Sequence, residues 1–166
     1  MLASYKKKKE IILSILVIIL DGIISYFVPI YLDNSNYFFP MLTISLLPFL
    51  YKNNLKDYYS LCFIIGIIYD LLYSNIFLYN ALLFLFLAKI DSKVLKVFKE
   101  SIALYIILVI LNIVLYDGIT FLLVTLTKYA DLSFASLIYK LKCSMLLNIM
   151  SAFVYYFLFK KHTRLS

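Results

Sequence analysis

The sequence predicts an all-α membrane protein, a polytopic bundle of six transmembrane helices with its N-terminus and C-terminus in the cytoplasm. Three observations carry that expectation. Of 166 residues, 64% are hydrophobic and the mean hydropathy is +0.96, whereas soluble domains sit near half apolar. The apolar residues come in unbroken runs such as Ile102–Leu111, without the period of two that a barrel strand would show. Only helices and closed barrels satisfy every backbone group in lipid, so the helix reading wins. Finally, the basic residues cluster at the ends of the runs. Six crossings leave thirteen of the sixteen lysines and arginines on one side, with Lys128, Lys140 and Lys142 on the other. That asymmetry fixes orientation, and it makes the net charge of +7 a topology signal rather than a sign of nucleic-acid binding.

A single integral-membrane domain is expected over 1–166, with spans near 11–32, 38–51, 58–73, 76–88, 101–127 and 140–159. The first run follows Lys6–Lys9 and contains Asp21, Gly22 and Pro29. It lacks the short core and small-residue cleavage site of a signal peptide, so it reads as a retained span. A polar turn, Asp33-Asn34-Ser35-Asn36, follows. The second run has 14 residues and holds Pro40 and Pro48, short of the roughly 20 needed to cross. A re-entrant segment also fits it, but Lys52 and Lys56 beyond it favour a crossing. The third and fourth runs form a hairpin broken at Ser74-Asn75, which sets Asp70 and Asn80 opposite each other at one depth. From Lys89 to Glu100, lysines 89, 93, 96 and 99 share one helical face and Ile90, Val94, Val97 and Phe98 the other. This is the pattern of a short helix lying flat on an anionic membrane surface, although a plain basic loop fits it as well. Ser101–Thr127 is the longest run, Lys128–Tyr139 a mixed loop, and Lys140–Phe159 the last span, closed by Lys160, Lys161 and Arg164.

Intramembrane charge is costly, about 2.5–3.5 kcal/mol on insertion scales, and is rarely idle. Asp21, Asp70 and Asp117 lie on the three outward spans at depths of roughly 18, 20 and 25 Å, past the midplane of a core about 30 Å thick. Their surroundings echo one another, Leu20-Asp21-Gly22, Tyr69-Asp70-Leu71 and Tyr116-Asp117-Gly118, at spacings of 49 and 47 residues. Two readings of this layer stay open. In one, the acids with Asn80, Asn112 and Asn148 bond to each other, to tyrosines and to backbone, and set helix register. In the other, they line an outward notch that takes a ligand or a partner's helix. Gly22, Gly66 and Gly118 are the expected sites of close helix packing.

Several chemistries are excluded. Zinc proteases need embedded His and Glu on one helical face. Here the single histidine, His162, is in the tail, and Glu10 and Glu100 sit at the inner surface. The same lack removes a serine–histidine dyad, and three glycines supply no phosphate loop. Neither Asp70 nor Asp117 stands in the Gly-x-Gly-Asp setting of a membrane aspartyl protease. Cys62 and Cys143 fall near opposite faces, so no disulfide is expected. No catalytic residue, cofactor or metal site is therefore assigned.

At Gly66-Ile-Ile-Tyr-Asp70-Leu-Leu, a short turn, and Asn80-Ala-Leu-Leu-Phe84, the chain resembles the MreD family of rod shape-determining membrane proteins. Asp21 and Pro29 in the first span and Pro40 before the second are similar too. The turn departs from the family, with Ser74-Asn75-Ile76-Phe77-Leu78-Tyr79 where Gly and Pro are usual. The resemblance implies a non-enzymatic, multi-pass subunit of the bacterial cytoplasmic membrane. It implies binding to an MreC-like single-span protein, and through it to a SEDS glycosyltransferase and a class B penicillin-binding protein in peptidoglycan synthesis. Anionic lipid would meet Lys89, Lys93, Lys96 and Lys99. The alternative is the substrate-binding S component of an energy-coupling-factor vitamin transporter, which is also a six-helix protein of this size. The small-residue docking pattern of its first span is missing here, where only Ser14, Gly22 and Ser25 stand. A proton-coupled carrier using Asp70 or Asp117 is a third reading.

Overall fold

Long apolar runs without interior proline favour helices, and helices are what form. The computed structural model describes residues 2–27, 41–51, 54–74, 76–129 and 133–160. Among these, all regular structure is helical: α1 (Leu2–Phe27), α2 (Leu42–Leu46) continued by a 3₁₀ turn (Leu47–Leu50), α3 (Leu55–Tyr73), α4 (Tyr79–Val97), α5 (Ile102–Thr127) and α6 (Phe134–Lys160). Pro29, the turn expected at 33–36, Pro40, Lys52, Asn75 and the tail with Lys161, His162 and Arg164 lie outside the described residues.

Side-chain contacts give the direction of each helix. Tyr73 Oη donates to the Ile18 carbonyl at 2.6 Å, and Ile11 shares a cleft with Asp57 and Ser60, so α1 and α3 run parallel. The α3–α4 pair is antiparallel, joined at one end by Asp70 with Asn80 and at the other by Tyr59 with Ser92. Asp117 with Lys140 and Tyr105 with Tyr156 make α5 and α6 antiparallel. Thus α1, α3 and α5 rise from a lower end, and α4 and α6 descend to it.

Of the second span, expected over 38–51, the structure describes residues 41–51. Its helical part, Leu42–Leu50, rises about 15 Å, half of a hydrocarbon core of ~30 Å. Pro48 turns the α-helix into a 3₁₀ turn, and every residue from Met41 to Leu50 is buried. The segment still descends. Leu42 sits beside Asp21 and Leu47 beside Tyr58. It is the hub of the core, since α1, α5 and α6 pack on α2, and α4, α5 and α6 on the 3₁₀ turn.

Three boundaries also differ. No separate surface helix follows Ala88, because nothing between Ala88 and Val97 breaks a helix and α4 runs through. Lys89, Lys93, Lys96 and Lys99 are exposed, but the opposite, buried face is Asp91, Ser92 and Leu95 rather than Val97 and Phe98. The fourth helix begins at Tyr79 instead of Ile76. Phe134–Tyr139, expected in a loop, is the first part of α6, whose start is capped by Ser133 Oγ accepting the Ser136 N–H at 3.1 Å.

Two of the three glycines sit where space is short. A Cβ on Gly22 would stand 2.5 Å from Tyr73 Oη, whereas one on Gly118 would meet nothing within 4 Å. Gly118→Ala is therefore expected to be neutral or to stabilise by up to about 1 kcal/mol through helix propensity. Gly22→Ala is expected to cost about 1 kcal/mol by pushing Tyr73 off the Ile18 carbonyl. Unfolding of the purified variants in mixed detergent measures both.

Among the described residues two helices, Ile102–Thr127 and Phe134–Phe159, are both long and apolar enough to cross a membrane. In α3 and α4, 19 residues each, Lys56, Asp57 and Asp70 and then Lys89, Asp91, Lys93 and Lys96 lie within the helix. Membrane association is thus supported by two helices, while six crossings go beyond that.

Candidate functional site: three carboxylates and two buried helix starts

A helix begins with N–H groups that have no partner inside the helix. At the lower end this is solved locally: Asn54 Oδ1 accepts from the Lys56 N–H and Ser101 Oγ from the Leu104 N–H. Helices α2 and α4 start inside the protein. Their N-cap residues are Met41 (φ 58°) and Leu78 (φ 67°), both left-handed and neither offering a capping side chain. Such backbone is costly for a bulky residue and persists only when its surroundings over-determine it.

Here the surroundings are carboxylates from the neighbouring helices. Asp21 Oδ1 accepts the Leu42 N–H at 2.7 Å, and its Oδ2 accepts the Thr43 N–H at 2.9 Å and the Thr43 hydroxyl at 2.6 Å. Asp70 Oδ1 accepts the Asn80 N–H at 2.9 Å and Asn80 Nδ2 at 2.8 Å, while its Oδ2 accepts the Ala81 N–H at 3.1 Å. The pattern is the same twice: two backbone donors and one side-chain donor, all at a helix start. A carboxylate there is also favoured by the helix dipole. The opposition of Asp70 and Asn80 expected from the hairpin is present. Asn80 Oδ1 then accepts from Tyr116 Oη at 2.7 Å, tying α5 to the hairpin.

Asp117 differs. Its Oδ1 lies 2.8 Å from Lys140 Nζ, and its Oδ2 has no donor among the described residues. The three acids do gather, since Tyr116 lies within electrostatic reach of Asp21, Asp70 and Asp117. None of them bonds another. Asn148 is not part of this group: its Oδ1 accepts from Ser45 Oγ at 2.6 Å, pinning α2 to α6.

A second polar cluster escaped the sequence reading. Asp91 is fully buried and accepts from Asn112 Nδ2 at 3.1 and 3.2 Å and from Tyr58 Oη at 3.3 Å. Tyr58 Oη also lies 3.1 Å from the Leu47 carbonyl, at the bottom of the buried segment. The signal was available in the sequence. Phe84, Leu87, Ala88, Asp91 and Leu95 continue one buried helical stripe, but the lysines around Asp91 disguised it. Thr43 and Tyr116, which complete the upper network, and Ser45, which pins α2 to α6, gave no signal beyond their type.

Chemically, Asp21, Asp70 and Asn80 are closed on the chain itself, so they hold helices rather than face a notch. Among the described residues no group of three or more His, Cys, Asp or Glu is placed to hold a metal. Cys62 and Cys143 are both free thiols. A cleft of about 100 Å³ between α1 and α3 is lined by isoleucines with Ser14, Asp57 and Ser60, and none of the three upper acids reaches it. No family model, no curated protein and no solved structure matches the chain.

Proposed function

We propose that the chain is a six-pass protein of the cytoplasmic membrane of the MreD type: a non-enzymatic subunit of the cell-elongation complex that binds an MreC-like single-span protein. Through that partner it supports a SEDS glycosyltransferase and a class B penicillin-binding protein in peptidoglycan synthesis and cell shape. The observation that carries the membrane part is an inverted distribution of polarity. Asp21, Asp70, Asn80, Asp91, Asn112, Asp117 and Asn148 are buried, while Ile12, Leu71, Leu82, Ile107, Leu146 and Phe157 are more than half exposed. Water would favour the reverse, because apolar exposure costs roughly 25 cal/mol per Å², whereas lipid favours apolar faces outward and satisfied polar groups inward.

In this reading the descending Leu42–Leu50 segment belongs to the second crossing. The lower end is then cytoplasmic, and it carries Lys89, Lys93, Lys96 and Lys99 towards anionic lipid. The Asp70–Asn80 closure supports the likeness to MreD, because the residues that carry the likeness are the ones that lock α3 to α4. With Asp21 and Asp70 occupied by backbone donors, the work left to the protein is holding shape and presenting surfaces to partners. Depleting the protein from a rod-shaped host is expected to round the cells, and the tagged protein is expected to bring down the MreC-like partner from detergent extracts. Rods that keep their shape without it, or a partner that never co-purifies, would remove the proposal.

A further inference from the structure

Each rising helix carries one buried acid near its upper end, and two of the three acids do the same job. Asp21 on α1 caps the start of α2, and Asp70 on α3 caps the start of α4. By that rule Asp117 on α5 would cap α6. It cannot, because α6 starts early, at Phe134, and is already in its second turn when it passes Asp117 at Lys140. An ammonium group stands there in place of a helix start. Asp117 is 2% exposed and its Oδ2 has no donor among the described residues, whereas Asp21 and Asp70 have both oxygens filled. A buried carboxylate oxygen with no partner is uncommon and calls for a cause. Beside it Gly118 faces open space, and small residues in membrane helices allow a second helix close approach.

The geometry points to Asp117 as a third helix-capping carboxylate that the chain leaves open for a partner. Its occupant is the N-terminal turn of an apolar helix that begins at the level of Asp117 and descends through the bilayer, with Asn, Thr or Ser in that turn. Such a turn supplies two backbone N–H groups and one side-chain donor, the set that Asp21 and Asp70 already bind. Lys140 holds the place meanwhile. Its side chain is 32% exposed while that of Asp117 is 1% exposed, so the ammonium can swing to the aqueous side as the incoming turn takes over. The direction of the helix matters: the partner must descend from the outer face, as α2 and α4 do, so it contributes an outside-to-inside crossing or a re-entrant half-helix. This inference rests on the membrane-bundle reading above.

The test uses the full chain in phospholipid nanodiscs and an N-acetylated synthetic peptide of residues 77–98 as the probe. That peptide holds the Asn80 turn that an aspartate of this protein is built to cap. Binding to the intact chain is expected, weakened about tenfold by Asp117→Asn and similarly by Asn80→Leu within the peptide. Lys140→Gln is expected to tighten binding at least threefold, because it removes the internal competitor. A purely structural ion pair predicts the opposite sign, since losing Lys140 would then loosen the site. No binding, binding indifferent to Asp117→Asn, or weaker binding in Lys140→Gln overturns the docking site. A chain that fails to insert into bilayers overturns the membrane reading instead, so the two failures are told apart.

Discussion

Replacing Gly66 with alanine is expected to destabilise the protein by about 3 kcal/mol or more, the largest effect of a Cβ added at any of the three glycines. A Cβ at that position would collide with Ala81 Cα and stand 2.8 Å from Ala81 N and from the Asn80 carbonyl oxygen. All three are backbone atoms, so no side chain can turn aside, and the two helices must part. Gly66 and Asp70 are four residues apart and share one face of α3. Parting the helices therefore also draws Asp70 away from the Asn80 and Ala81 N–H groups at the start of α4. The steric cost and the loss of charge-assisted hydrogen bonds add in the same direction. Unfolding of Gly66→Ala and Gly118→Ala side by side in mixed detergent measures the effect. Equal midpoints for the two would show that the α3–α4 contact is softer than its geometry implies.

That hairpin was also the most legible part of the sequence, for a physical reason. Asp70 and Asn80 are isolated polar residues in apolar surroundings, and they flank a break, so helix geometry alone brings them face to face. The other acids, Asp21 and Asp117, are buried as isolated polar residues in apolar runs suggest, but the groups they hold were not legible. Nothing in Asp21 announces that it caps a helix 21 residues away, because the signal is in the partner. Leu42–Leu50 is an apolar run whose burial on every side leaves no periodicity to read, and a half-helix cannot be told from a short span on hydropathy. Its prolines were the better guide, since Pro48 marks the change to a 3₁₀ turn. Asp91 was hidden by composition: four lysines close by made the whole stretch look solvated, although Asp91 continues the buried stripe of α4. The left-handed residues Met41 and Leu78 could not be foreseen, because a bulky residue in that conformation is set by tertiary contacts and not by its own preference.

Removing the Asp21 carboxylate is expected to loosen the buried segment from the rest of the core. In Asp21→Ala the Leu42 and Thr43 N–H groups and the Thr43 hydroxyl lose their acceptors inside the protein, with no water to replace them. Orphaned buried donors cost about 1–3 kcal/mol each, so with three of them the segment start loses about 3 kcal/mol or more. Its remaining side-chain ties are a long bond from Tyr155 Oη to the Leu42 carbonyl and, further down, Ser45 with Asn148 and Leu47 with Tyr58. Asp21→Asn keeps one acceptor oxygen but turns an NH₂ towards N–H donors, so it should fall between wild type and Asp21→Ala. The chain holds its own reporter. Cys62 is fully buried one turn above Tyr58 on α3, whereas Cys143 is half-buried on α6. As the segment leaves, Tyr58 loses its Leu47 partner and the Cys62 thiol opens to small maleimides in detergent, with Cys143 as the internal reference. The expected order of Cys62 labelling rates is wild type, then Asp21→Asn, then Asp21→Ala. If Cys62 in Asp21→Ala stays as protected as in wild type, the 41–50 segment is held by packing alone, and the carboxylate cap is a passenger rather than the anchor.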